Sequence, residues 1–582
     1  MQSGRFLLAV VLMIATVVIV NLIFPPVSPT VSLPPGDSLA VPLDTAGPAG
    51  AVPVVPDSAP VAPPGQPATP PAAVPASSDP APVDTIVAES PLYRYGISTR
   101  GAALVSAELL RFESFRRDSA QNGNAAPVQL APAGPQPLVG HRLQIEGRDI
   151  DLSQLNFQPD RRSDLRVESG AQPQSLRFQT TEPVSGQTVE LTYTFHPDNY
   201  LLDVAVRVQP GGRSLQLLLD LGPTLAVNEA NMPEDQRALA YVVNSRQEGI
   251  NSTPLQSVRT RRDRDGKLVI DRRVEPGPLD WVALKNKYFM VAAIPQEAGA
   301  DSAFGGVVAT DIPGKWSVHL TATLPIGDDQ QAAYRLYAGP QEYDRQVLLG
   351  LQDVNPMGWK WLRPIIRPLG HAFTWILLET QRATGLAYGW VLILFGIAVR
   401  LALWPLNAKA MRSQMKNMEL QPRIKDIQTR YKQNPELMQK EMLKLYREEG
   451  FNPMGGCLPL LLPMPVLITL FFVFQATIEF RGAGFLWLPD LSRADPLYIL
   501  PALLGITMFV QQWMSAKTSP PNPQMQMMMW FMPAFMVILF LNFASGLNLY
   551  YTAQNFASFP QQLQLIRERQ RLQGKKGVGI LG

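Results

Sequence analysis

Cysteine is almost absent, one in 582 residues, so no disulfide closes within the chain and no Cys-rich zinc site can form. Histidine is scarce too, at four, and His141, His196 and His319 stand far apart without metal-ligand or triad spacing. Charge is thin: 17% of residues, against ~25% for an average soluble chain. The net charge of +3 is too small for a nucleic-acid footprint, and no cofactor motif or catalytic constellation stands out. Apolar residues crowd the N-terminus and the last third instead. The composition is that of a membrane protein with a large soluble insertion.

Residues 1–24 read as a signal anchor. Phe6 to Phe24 is apolar except for Thr16 and Asn21, and its ~28 Å of helix approaches the ~30 Å hydrocarbon core. The run exceeds a cleaved signal's apolar region and ends at Phe24-Pro25-Pro26. Arg5 before it keeps the N-terminus cytoplasmic. Residues 25–91 hold 19 prolines among 67 positions, which makes them a semi-rigid tether without a core.

From 92 to 345 short alternating runs predict a soluble all-β domain, a sandwich or barrel. They are Arg142–Ile145, Ser175–Gln179, Thr188–Phe195, Leu201–Val208, Leu215–Leu221, Trp281–Ile294, Trp316–Leu324 and Ala333–Ala338. Residues 359–382 mix Trp359, Trp361, Phe373 and Trp375 with Lys360, Arg363, Arg367, His371 and Arg382, the pattern of an amphipathic helix lying in the membrane interface. His371 reads as an interfacial residue rather than a ligand.

Five apolar segments follow, near Tyr388–Leu406, Pro459–Phe480, Tyr498–Trp513, Met527–Phe543 and Leu547–Leu565. With the anchor they make a polytopic α-helical protein of six spans. Basic residues number ten in loop 407–452, two in 481–497 and five in the tail from Arg567. The positive-inside rule then puts loop and tail in the cytoplasm and the β domain outside. Within 407–452, Pro422 and Pro435 are expected to open two helices of an antiparallel hairpin, with Asn434 as cap and Gly450 as stop. Its outward basic residues suit anionic lipid, a ribosome or a protein partner; a plain solvated face is the alternative.

Arg400 is the foremost candidate. It lies twelve residues into the second span, where a guanidinium is costly unless paired, solvated or snorkelling toward Trp404-Pro405. No acidic residue interrupts the apolar spans at comparable depth. Asn548, Thr552 and Asn555, spaced i, i+4, i+7, add a polar face on the last span, and Thr469 and Gln475 add polar groups on the third. Packing against neighbouring helices is the competing reading for these. Sixteen of twenty methionines fall in 351–582, which suits adaptable apolar contacts as well as gap filling.

The order of these parts closely resembles the YidC/Oxa/Alb family of membrane protein insertases. The residues that carry the resemblance are Ala398-Val-Arg400 to Trp404-Pro-Leu406, Leu420-Gln-Pro422 and Asn452-Pro-Met-Gly-Gly-Cys457-Leu-Pro459. Further on stand Tyr498-Ile-Leu-Pro501, Phe531-Met-Pro533 and Ser545-Gly-Leu-Asn-Leu-Tyr-Tyr551. Trp281-Val-Ala to Tyr288-Phe289 resembles the family's exported domain. The resemblance implies a five-helix insertase core over 388–565, with a hydrophilic groove containing Arg400. It places substrate contacts at Met464, Pro465, Tyr550 and Tyr551, and it makes the exported domain a β-supersandwich.

Pro463 departs from the pattern, standing where the family often has a polar residue, and the basic tail 566–582 is short. The implied function is that of an insertase and chaperone for nascent inner-membrane proteins, alone or with the Sec translocon, and not an enzyme. A six-span transporter with Arg400 holding a small anion is the competing class. No internal repeat or matched pair of broken helices supports it. An anchored carbohydrate-active domain is a third class.

Overall fold

A computed structural model describes residues 83–578 apart from 117–125, 184–185, 211–214, 263–267, 297–302, 314–315, 328, 360, 450–463 and 518–522. The signal anchor, most of the tether, Gly450, Cys457 and Pro459 therefore lie outside the described residues.

The β domain begins earlier than the proline content suggests. Thr85–Glu89 is already a strand, paired antiparallel with Tyr93–Ser98, so the tether ends before Pro91. Among the described residues nineteen strands join one sheet, antiparallel except where Ala88 and Glu89 run parallel to Leu165 and Arg166. Alternation drives burial: in Thr188–Phe195 every second residue points into the core.

The sheet folds over on itself. Strand Arg272–Lys285 pairs first with Phe304–Asp311, then shifts register between Pro276 and Leu279 and pairs with Phe289–Pro295. Gly277 sits at the shift, where a Cβ would lie 2.5 Å from the Gly305 carbonyl oxygen. Two faces then meet over a continuous core crossed by tyrosines. Tyr95 donates to the Ala338 carbonyl at 2.6 Å and Tyr93 to that of His196 at 2.9 Å. His141 Nε2 meets the Tyr334 hydroxyl at 2.7 Å inside this core. The expected single run Trp281–Ile294 is two strands: the Asn286 side-chain oxygen accepts from the Tyr288 and Phe289 N–H groups and turns the chain between them.

Helices are numbered here in chain order. Two short ones lie in the β domain, α1 (Met232–Ala238) and α2 (Tyr343–Leu348). The expected amphipathic segment is α3 (Arg363–Thr384), closed by Gly385 in the left-handed region. Its Ile366, Gly370, Thr374 and Leu377 are buried on one face, while Ile365 and Trp375 are exposed on the other. Arg367 and His371 both engage Asp353.

The core helices are α4 (Tyr388–Ala402), α5 (Trp404–Arg430), α6 (Pro435–Glu448), α7 (Met464–Ala476), α8 (Ile499–Lys517), α9 (Pro523–Phe540) and α10 (Ser545–Val578). Among the described residues no helix is long and apolar enough to cross a membrane. The expected span Tyr388–Leu406 is shortened because α4 ends at Leu403 and α5 restarts at Trp404-Pro405. Its 15 residues reach only ~22 Å. Pro422 opens no helix; it lies inside α5, whose start is set by Pro405, a residue that needs no donor in a first turn. Pro435 behaves as expected, with Asn434 accepting from the Leu437 N–H at 3.2 Å.

The turn after α7 ties the two halves together. Ile478 is part of the β-domain core, and the Tyr343 N–H donates to Glu479 at 3.1 Å. The Arg481 guanidinium pairs with Glu229 at 2.7 Å, donates to the Glu113 carbonyl at 2.7 Å and covers the Phe115 ring at 4.0 Å. Only 4% of the Arg481 side chain and 10% of Glu229 remain exposed.

Two stability predictions follow from this packing. Arg481→Met leaves a buried carboxylate without its partner and should cost about 3–5 kcal/mol, whereas Arg481→Met with Glu229→Leu should recover most of that. Thermal unfolding of the purified full-length chain measures both. The second concerns His141, whose pKa burial pushes down to about 4 from 6.5. The folded state therefore refuses a proton that the unfolded chain accepts. The destabilisation due to His141 is absent above pH 6.5 and grows as pH drops toward 4, to roughly 3 kcal/mol. His141→Gln should flatten that window; an unchanged slope would assign it to other groups.

Candidate functional site

The site forms where α4 crosses α10. Gly396 permits the approach: a Cβ there would sit 3.0 Å from the Tyr550 carbonyl oxygen. One turn further on, in the last turn of α4, Arg400 meets α10 directly. Its Nη2 donates to Gln561 Oε1 at 2.8 Å, and Gln561 Nε2 donates to the Trp404 carbonyl at 3.1 Å. Gln561 is 1% exposed, so this amide bridges the α4–α5 break from inside the bundle. Arg400 Nε is buried without a hydrogen-bond partner, and no carboxylate pairs with the guanidinium among the described residues. A neutral amide orients the cation but leaves its charge uncompensated.

A second polar set joins α8 to α10. Asn555 Nδ2 donates to Thr507 Oγ1 at 3.2 Å, and Gln511 Nε2 donates to Ser558 Oγ at 2.7 Å and to the Asn555 carbonyl at 3.0 Å. Asn548 donates to the Phe540 carbonyl at 3.1 Å, and its own Oδ1 has no partner among the described residues. The hydroxyls of Thr552 and Tyr550 are likewise buried and unpartnered. The Tyr550 ring packs 5.9 Å from Phe395 and 5.1 Å from Tyr551. The last helix thus presents several polar groups with spare hydrogen-bonding capacity inside an apolar cluster.

Other candidates stand apart from Arg400. Thr469 donates to the Pro465 carbonyl of its own helix at 2.7 Å, a locally satisfied packing residue. Gln475 lines a cavity against the β domain. Met464 is exposed and Pro465 half-buried at the start of α7. Gln561, Ser558, Gln554, Thr507 and Gln511 were missed by sequence reading. Their signal was present: 554, 558 and 561 repeat the i, i+4, i+7 spacing of the first stripe, and 507 and 511 are i, i+4.

Comparison with known proteins places these features in a family. Residues 85–371 match the model of the YidC periplasmic domain, and 379–572 match that of the 60Kd inner membrane protein. Membrane protein insertase YidC of Chlorobium luteolum is 31% identical over 533 residues, covering 85% of this chain and 86% of that protein. The protein of the same name from Aromatoleum aromaticum is 30% identical over 484 residues, covering 81% and 82%. A crystal structure of YidC from Thermotoga maritima aligns at 14% identity with a TM-score of 0.28, over 81% of this chain and 98% of that one. The chain belongs to the YidC family of membrane protein insertases, inner-membrane proteins with a periplasmic domain.

Proposed function

We propose that this chain inserts membrane proteins by hydrating the cytoplasmic half of its core around Arg400. The observation that carries the reading is a half-enclosed guanidinium held, among the described residues, by the neutral Gln561 amide alone. Such a charge is tolerable when water reaches it. Unpartnered polar atoms of Asn548, Tyr550 and Thr552 extend the polar surface along α10. A short exported tail, often acidic, is drawn toward the cation through this wet region, which reduces the desolvation it meets. The apolar segment that follows leaves beside α7 and α10, against Met464, Pro465 and Tyr551. Thr552 and Asn555 complete the groove in this reading, while Thr469, turned to its own backbone, and Gln475, on the cavity against the β domain, stand outside it.

Six spans, with both termini and residues 407–452 in the cytoplasm, fit the basic-residue asymmetry. Nascent inner-membrane proteins are the substrates. The Sec translocon, a ribosome at 407–452 and the tail, and anionic lipids are the further partners of this proposal. The transporter reading assigns Arg400 to a small anion; the amide already seated on the guanidinium argues against an open anion pocket there.

Two experiments test it. With matched substrates at equal protein level, Arg400→Lys should insert both, while Arg400→Ala or Arg400→Glu should reduce acidic-tail insertion about ten-fold more than neutral-tail insertion. That is the scale of one ~1–2 kcal/mol charge–charge term. Equal losses for both tails would refute the electrostatic role. For topology, Lys440→Cys in a Cys457→Ser background should resist an impermeant thiol reagent in intact cells and react after lysis; labelling from outside would overturn the orientation.

A further inference from the structure

A cavity of about 520 Å³ opens where the β domain meets the exported end of α7. Arg237, Lys285 and Lys287 reach its wall from the β domain, and Met357 and Phe472 provide an apolar wall. Lys287 is neutralised by Glu234 at 2.8 Å. Lys285 is not: it is 9% exposed, and its Nζ donates to the Asn355 side-chain oxygen at 2.6 Å and the Asn286 carbonyl at 3.4 Å, both neutral. Asp235 acts on it from a distance, its oxygens already taken by the N–H groups of Asn228 and Lys287 at 3.1 Å. Burial pushes Lys285 down to about 8, so it still carries its proton at neutral pH.

A buried ammonium without a carboxylate calls for an anion. The apolar wall says which kind. Phe472 belongs to the membrane core and packs 6.3 Å from Trp359, which is 57% exposed just before the interfacial helix. Cation and apolar wall together match a phosphodiester carrying acyl chains, at the level where headgroups lie. We propose that this cavity binds the headgroup of an anionic phospholipid of the outer leaflet, with Lys285 as its principal contact. The site is separate from Arg400 and does not depend on the groove.

The full-length protein is placed in phosphatidylcholine nanodiscs with increasing phosphatidylglycerol, and retained lipid is counted by native mass spectrometry alongside thermal unfolding. One saturable phosphatidylglycerol site is expected, weakened at least ten-fold in Lys285→Gln, kept in Lys285→Arg and kept in Arg400→Ala. Ala238→Glu, which places a carboxylate on the same wall and leaves every cation in place, should abolish the site even where Lys285→Gln fails to fold. Undiminished binding in Ala238→Glu, or in a folded Lys285→Gln, would overturn the proposal. So would equal stabilisation by inorganic phosphate, which marks a free-anion site. Loss of acidic-tail insertion in Lys285→Gln with lipid binding intact would overturn it as well, since the cavity would then serve substrate.

Discussion

A cation removed from bulk water must meet a carboxylate, a polar wall or water that enters with it. Arg481, Arg400 and Lys285 are three of the enclosed cations, and each meets the demand differently. Arg481 has Glu229, a backbone carbonyl and aromatic faces, and so fixes the β domain to the turn after α7. Arg400 has one amide. Lys285 has one amide and a backbone carbonyl. Full compensation gives a rigid joint. Partial compensation leaves a charge able to act on something that arrives.

The helical half is arranged around that difference. Gly396 brings α4 against Tyr550, which sets Arg400 beside Gln561 on α10. Pro405 restarts the chain as α5 one residue after α4 is capped at Leu403, so the cation stands at a helix junction rather than in mid-span. Aromatic packing of Phe395, Tyr550, Tyr551 and Phe540 forms the apolar floor next to it. Polar and apolar side chains therefore share one helix, α10.

Much of the β domain was legible because period-two alternation maps directly onto burial. Thr188–Phe195 and Leu215–Leu221 have the ends that the pattern predicts. The break at Asn286–Tyr288 was not, because it depends on a side chain capping two N–H groups rather than on hydrophobic period. Arg400 stood out by its depth in an apolar run. Its partner did not: Gln561 lies 161 positions away, and although the 554, 558, 561 spacing marks a polar stripe, nothing in the spacing tells which residue that stripe meets. Thr469 shows the opposite failure: a polar residue in an apolar helix looks functional until its hydroxyl is found on its own backbone. The expected segment Tyr388–Leu406 is too long for a related reason. Hydropathy runs on through Leu403 and Pro405, but the backbone ladder does not.

The joint on the exported side links these observations. Ile478 is buried in the β-domain core only two residues after α7 ends. Glu479 holds the start of α2, and Arg481 closes the contact. Three successive anchors within four residues leave α7 little freedom at that end, and its packing on α3 through Thr469 and Gly370 constrains its middle. The opposite end begins at Met464, which is exposed. Among the described residues, the ties that fix α7 thus fall at its middle and at its Ala476 end, where ion pairing and apolar burial join it to the β domain.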